Sequence, residues 1–116
     1  MTVRHALAVA VLLAAPAALE AHARLIASTP AEGATTAAPA TIDLRFSERL
    51  LPKFSGAMLK RSKAGRVPAA ISFEADGVTI HLRPARPLAP GAYEVDYHTT
   101  AADTHHVTGV LAFQVR

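Results

Sequence analysis

The chain has 116 residues, a formal net charge of +3, no cysteine, no tryptophan and only two methionines. This length leaves room for one small core and excludes a second domain. The missing cysteine excludes a disulfide framework and removes thiolate from any list of metal ligands.

Residues 1–21 carry the pattern of a cleaved secretory signal peptide. Arg4 and His5 give a weakly positive start, Ala6 to Ala18 is an apolar run broken by Pro16, and Leu19-Glu20-Ala21 ends on a small residue at the cut. The run is shorter than the roughly 20 apolar residues of a membrane span, so no membrane anchor is expected after cleavage. The cut removes one arginine, Arg4, and one glutamate, Glu20, and leaves the charge balance of residues 22–116 unchanged. The remaining basic residues are densest over Lys60–Arg66, a stretch that reads as a solvated loop, and no nucleic-acid partner is expected of an exported protein.

The exported part reads as strands and turns. His22 to Ser28 alternates, with Ala23, Leu25 and Ala27 on one face. Thr29 to Ala40 is rich in Pro, Gly and Ala and reads as a loop. Thr41 to Phe46 puts Ile42, Leu44 and Phe46 on one side and Asp43 and Arg45 on the other. Ala57 to Lys60 is a short strand. Ala69 to Phe73 and Val78 to Leu82 are joined through Asp76-Gly77, a hairpin signal. Arg83 to Pro90, with three prolines, is a connection. Gly91 to His98 alternates with Tyr93, Val95 and Tyr97 inside, and Val107 to Val115 closes the chain. About seven short strands with no helical periodicity predict an all-β, antiparallel Greek-key β-sandwich, immunoglobulin-like and without the disulfide. Phe46, Phe73, Tyr93, Tyr97 and Phe113 are its expected aromatic core.

Cleavage after Ala21 would make His22 the first residue. Its free amine and imidazole Nδ1 then close a six-membered chelate ring on a metal. An α-amine has a reference pKa of about 7.7–8.0, so its proton is weakly held near neutrality; before cleavage that nitrogen is an amide and a poor ligand. Near the other end stands Asp103-Thr104-His105-His106. In an extended chain Asp103 and His105 face one side, Thr104 turns away, and His106 points opposite to His105. If the first and last strands meet, three nitrogens and a carboxylate converge. Such a set suits Cu(II) or Ni(II), with Cu(II) favoured by the Irving–Williams order; Zn(II) stays open but prefers a tetrahedron. His81 and His98 read as surface residues on strand faces.

These residues resemble the CopC family of periplasmic copper-resistance proteins over essentially all of residues 22–116. The marks are His22-Ala23-Arg24-Leu25, Ser28-Thr29-Pro30-Ala31-Glu32-Gly33, Phe46-Ser47-Glu48, Phe54-Ser55-Gly56, Leu88-Ala89-Pro90-Gly91-Ala92-Tyr93, Asp103-Thr104-His105, Val107-Thr108-Gly109 and Phe113-Gln114-Val115. The resemblance implies a small β-sandwich in the periplasm that binds one Cu(II) per chain through His22, Asp103 and His105. It places Glu48 near that site, where it would support the ligands or act as a weak axial group rather than a firm ligand. It also implies a CopD-like inner-membrane copper transporter as partner. Two departures stand out. His106 replaces the proline usual after the site histidine, where it could tune or compete for the metal. The region corresponding to a methionine-rich Cu(I) stretch, Met58 to Phe73, has one methionine and no histidine, which implies no Cu(I) site, because Cu(I) selects thioethers. The expected function is a monomeric, non-enzymatic copper buffer or carrier in resistance or homeostasis. The alternatives are an oxidative enzyme of the histidine-brace type and a metal-free interaction module.

Overall fold

The computed structural model describes residues 22–116; the expected signal peptide, 1–21, lies outside the described residues. Among the described residues nine strands form two sheets. The first sheet runs β1 (Leu25–Thr29), β3 (Ile42–Phe46), β7 (Thr79–Pro84), β6 (Ala69–Phe73) in spatial order. The second runs β2 (Thr35–Thr36), β9 (His106–Val115), β8 (Gly91–Thr100), β4 (Gly56–Arg61), β5 (Gly65–Arg66). The seven longer strands pair antiparallel, as the alternation predicts. The two-residue β2 arises within the expected 29–40 loop and pairs parallel with β9.

The strand faces explain the packing. Ile42, Leu44 and Phe46 of β3 and Ile80 and Leu82 of β7 point inward from one sheet. Leu59, Tyr93, Val95, Leu111, Phe113 and Val115 meet them from the other, and all are buried. Tyr93 and Phe113 stack across β8 and β9 with ring centroids 5.7 Å apart; Phe73 and Tyr97 pack on the core while partly buried. The Asp76-Gly77 hairpin forms as expected. Gly77 adopts φ 76° and donates its N–H to the Glu74 carbonyl. The Asp76 carboxylate accepts the N–H groups of Val78 and Thr79 and the Thr79 hydroxyl.

The first strand departs from its expected alternation. Its pairing with β3 slips between Leu25, opposite Phe46, and Ala27, opposite Arg45. Ile26 is the extra residue of this β-bulge. Ala23 stays buried, but Ala27 is exposed.

One core position carries an unmet demand. Thr99 on β8 is 0% exposed, and its hydroxyl has no hydrogen-bond partner among the described residues. A buried unsatisfied hydroxyl costs about 1–3 kcal/mol. Thr99→Val keeps the branched shape and removes the orphan group. It should raise stability by about 1 kcal/mol, which moves the melting temperature up by roughly 4–8 °C in a domain of this size. A thermal melt followed by circular dichroism checks this.

Candidate metal centre

The site forms where the start of the domain, the end of β3 and the turn between β8 and β9 meet. Ala23, 1% exposed, anchors the first residues in the core. Ser47, just past β3, clamps them. Its hydroxyl accepts the Arg24 N–H at 2.9 Å and donates to the His22 carbonyl at 3.4 Å. Its own N–H donates to the Arg24 carbonyl at 2.8 Å. The segment after Ser47 then reaches the turn: Leu50 bridges Ala101, and the Leu51 N–H donates to the Thr100 carbonyl at 2.8 Å. One stretch of chain, 47–51, thus holds His22 and the turn carrying Asp103 side by side.

In the sequence Ser47 stands out only as part of Phe46-Ser47-Glu48. Its double engagement of two backbone groups gives it a positioning role. Ser47→Ala should cost about 0.5–1.5 kcal/mol of stability and loosen His22. Increased picosecond–nanosecond motion of residues 22–24 in amide relaxation measurements is the expected signature.

The expectation that Asp103 and His105 share a side through extended alternation is corrected in its cause. Residues 101–104 form a tight turn closed by the Thr104 N–H donating to the Ala101 carbonyl at 2.9 Å. Thr104 has φ 67°, a left-handed conformation unusual for a β-branched residue. The turn makes Asp103 embrace its neighbour: one carboxylate oxygen accepts the His105 N–H at 3.1 Å and the other the His105 Nδ1 at 2.9 Å.

That second oxygen, Oδ2, also lies 3.0 Å from His22 Nδ1. The His22 and His105 rings meet edge to face, with centroids 4.5 Å apart and an angle of 85°. One donor atom from each of His22, Asp103 and His105 lies within 4.8 Å of the other two. Ligands at about 2.0 Å from an ion sit roughly 2.8 Å apart when adjacent and 4 Å when opposed, so a small closure of side chains accommodates an ion. The two histidines are exposed and Asp103 is half-buried, which leaves an open path for entry.

The Asp103 carboxyl is held below the usual carboxylate range. The hydrogen bond from the His105 imidazole is the main cause; the His105 N–H and the two imidazoles add to it, while partial burial opposes it. A depressed folded-state pKa means that the contribution of this bonding to stability is present above the unfolded value and is lost as pH falls through the folded one. At neutral pH Asp103 is therefore anionic and available as an oxygen ligand.

The other candidate residues lie around this cluster. Glu48 follows Ser47 in the bend after β3, half-buried, and is not among the three facing donors. His106 opens β9 and turns away from His105: its Nδ1 lies 2.9 Å from the Thr100 hydroxyl, and its ring lies 5.6 Å from that of His98. His81 sits on the opposite sheet, where its Nδ1 pairs with Asp43 across β3 and β7.

Comparison with known proteins gives a consistent family. The family model described as the CopC domain matches residues 25–116. Copper resistance protein C of Pseudomonas syringae pv. tomato is 43% identical over 104 residues, covering 84% of this chain and 82% of its own. Copper resistance protein C of Xanthomonas campestris pv. juglandis is 39% identical over 109 residues, covering 88% and 86%. Among solved structures, PcoC, a methionine-rich copper resistance protein from Escherichia coli, superposes with a TM-score of 0.77 at 39% identity, over 83% of this chain and 100% of that one.

Proposed function

The chain belongs to the CopC domain family, and from that membership we propose that it is a periplasmic Cu(II)-binding protein that buffers or carries copper for resistance or homeostasis. Copper is cargo here, not a catalyst. The observation that carries the reading is the convergence of His22, Asp103 and His105 on one point, at the residue where a signal-peptide cut would create a free amine.

On this reading, export and cleavage after Ala21 expose the His22 amine. The amine, His22 Nδ1, a His105 imidazole nitrogen and the Asp103 carboxylate then offer three nitrogens and one oxygen, a set suited to tetragonal Cu(II). In the metal-free protein His105 Nδ1 is hydrogen-bonded to the Asp103 carboxylate, and His22 Nδ1 faces the same oxygen at 3.0 Å. Cu(II) takes the place of the shared proton, so its uptake releases or relocates protons and weakens in acid. Asp103 supplies negative charge that favours the oxidised ion. Ser47 keeps His22 in position, and Glu48, next to it in sequence, acts as an outer or weak axial group.

The soft donors of a Cu(I) site are missing from the sequence. PcoC is described as methionine-rich, whereas residues 22–116 of this chain contain one methionine, Met58. We therefore assign one tight Cu(II) per chain, in a monomer, with no thioether Cu(I) site and with handover to or from a CopD-like inner-membrane transporter. Retention of one equivalent of Cu(II) through desalting, without turnover when peroxide and a reductant are supplied, is the expected result. Loss of the copper would return the protein to a metal-free interaction module, and peroxide-driven turnover would make it an enzyme.

A further inference from the structure

A second pair of histidines lies on the far side of His105, on the outer face of the five-stranded sheet. Thr100 is paired with His106, and His98 with Thr108, so His98 and His106 are diagonal neighbours on one face of the β8–β9 ladder. Their rings are 5.6 Å apart between centroids and inclined by 36°. Two imidazoles sharing one ion with bonds of about 2.0 Å have centroids roughly 4.5 Å apart when adjacent and 6.3 Å when opposed. The observed spacing falls inside that interval.

The hydrogen bonding around His106 fixes which nitrogen is free. The Phe54 carbonyl can only accept, so the Thr100 hydroxyl, 3.1 Å away, donates its single proton there. Toward His106 Nδ1, at 2.9 Å, the same hydroxyl must then accept. The assignment that satisfies both contacts puts the His106 proton on Nδ1 and leaves Nε2 as a lone pair. A ring nitrogen that donates to a protein oxygen while the other stays basic is the arrangement of metal-ligating histidines. His98 is packed as well: its ring edge lies over Gly56, where a Cβ would come within 3.0 Å of Cε1 and 3.3 Å of Nε2. The His98 ring makes no hydrogen bond or ion pair among the described residues; its one ring contact is with His106. Both rings line a groove of about 490 Å³, with Phe54 and Thr104 among its walls.

We propose that His98 and His106 form a second, weaker site for a divalent first-row ion of borderline softness, Cu(II) or Zn(II), separate from the cluster at His22, Asp103 and His105. Two neutral imidazoles supply the ligands, and water fills the remaining positions. With no carboxylate and no chelating amine, this site binds less tightly than its neighbour and exchanges faster. Cu(II) outranks Zn(II) here as in other nitrogen sites.

Zn(II), which is diamagnetic, reads each histidine separately by side-chain ¹⁵N NMR. Titrating Zn(II) into the purified protein should move one ring-nitrogen resonance of His98 and the Nε2 resonance of His106 together along one saturation curve, with the His106 Nδ1 proton retained. His98→Gln should weaken the response of His106 at least tenfold. Thr100→Val, which removes the partner of Nδ1 but no ligand, should weaken both by about 10–100-fold. His106 Nε2 unmoved after His22 and His105 have saturated, or moving identically in His98→Gln, overturns the site. Far-UV circular dichroism of each variant establishes that the sandwich is intact.

Discussion

Adding one residue before His22 should weaken Cu(II) binding by more than about 100-fold. Losing a group that merely supports a ligand typically costs 10–100-fold in metal affinity. This change removes a ligand itself: the amine becomes an amide, and the six-membered ring through Nδ1 can no longer close. A hundredfold is about 2.7 kcal/mol, within reach of a competition titration against a chelator of known strength. The fold should be indifferent, because Ala23 anchors the segment and Ser47 bonds only the His22 carbonyl and the Arg24 backbone. An unchanged melting curve with lost affinity separates a missing ligand from a damaged domain.

Phe46→Ala should produce the largest loss of stability. Phe46 is 1% exposed, lies opposite Leu25 in the β1–β3 ladder and meets Tyr97 edge to face at 5.3 Å. Truncating a buried phenylalanine costs about 3–5 kcal/mol, a large fraction of the roughly 5–15 kcal/mol that holds a domain together. The melting temperature should fall by at least about 12 °C. The residue also immediately precedes Ser47, so the clamp on His22 should loosen with it. Saturating Cu(II) should restore part of the loss, about 2.7 kcal/mol at a hundredfold excess over the dissociation constant. A variant that melts as before would show that the cavity collapses without cost and that Phe46 is no keystone of this end of the sandwich.

The strands were readable because their faces obey simple chemistry. The order Ile42, Asp43, Leu44, Arg45, Phe46 admits one inward face, and β3 uses it. Asp76-Gly77 announces its turn through a carboxylate that collects N–H groups and a glycine that accepts positive φ. The three donors were also nameable, although their convergence rests on tertiary pairing that no local pattern contains. What escaped has a common origin in backbone irregularity and register. The bulge at Ile26 turns Ala27 outward, and nothing in Leu25-Ile26-Ala27 signals it. Thr104 adopts a left-handed conformation that its side chain disfavours, so the turn at 101–104 read as an extended segment. Ser47 is one letter of a motif in the sequence, and only the fold lets its hydroxyl bridge to His22 and Arg24. His98 reads in the sequence as a lone surface histidine, and the β8–β9 register puts it beside His106.

The strain at Thr104 sits where function would place it, between two candidate ligands. Left-handed backbone costs a non-glycine residue of order 1–3 kcal/mol. Here it lets Asp103 reach both the backbone and the ring of His105 while its second oxygen faces His22. An extended segment would preserve the alternation but lose the bonding that orients the carboxylate.

The most direct test is an electron paramagnetic resonance spectrum of the protein beginning at His22 with one equivalent of Cu(II). The expected result is a single axial signal with three-nitrogen hyperfine structure, replaced by a different spectrum when His105 becomes alanine. A signal of loosely held copper, the same with and without His105 and with and without a residue added before His22, would contradict the assignment of this cluster as the copper site.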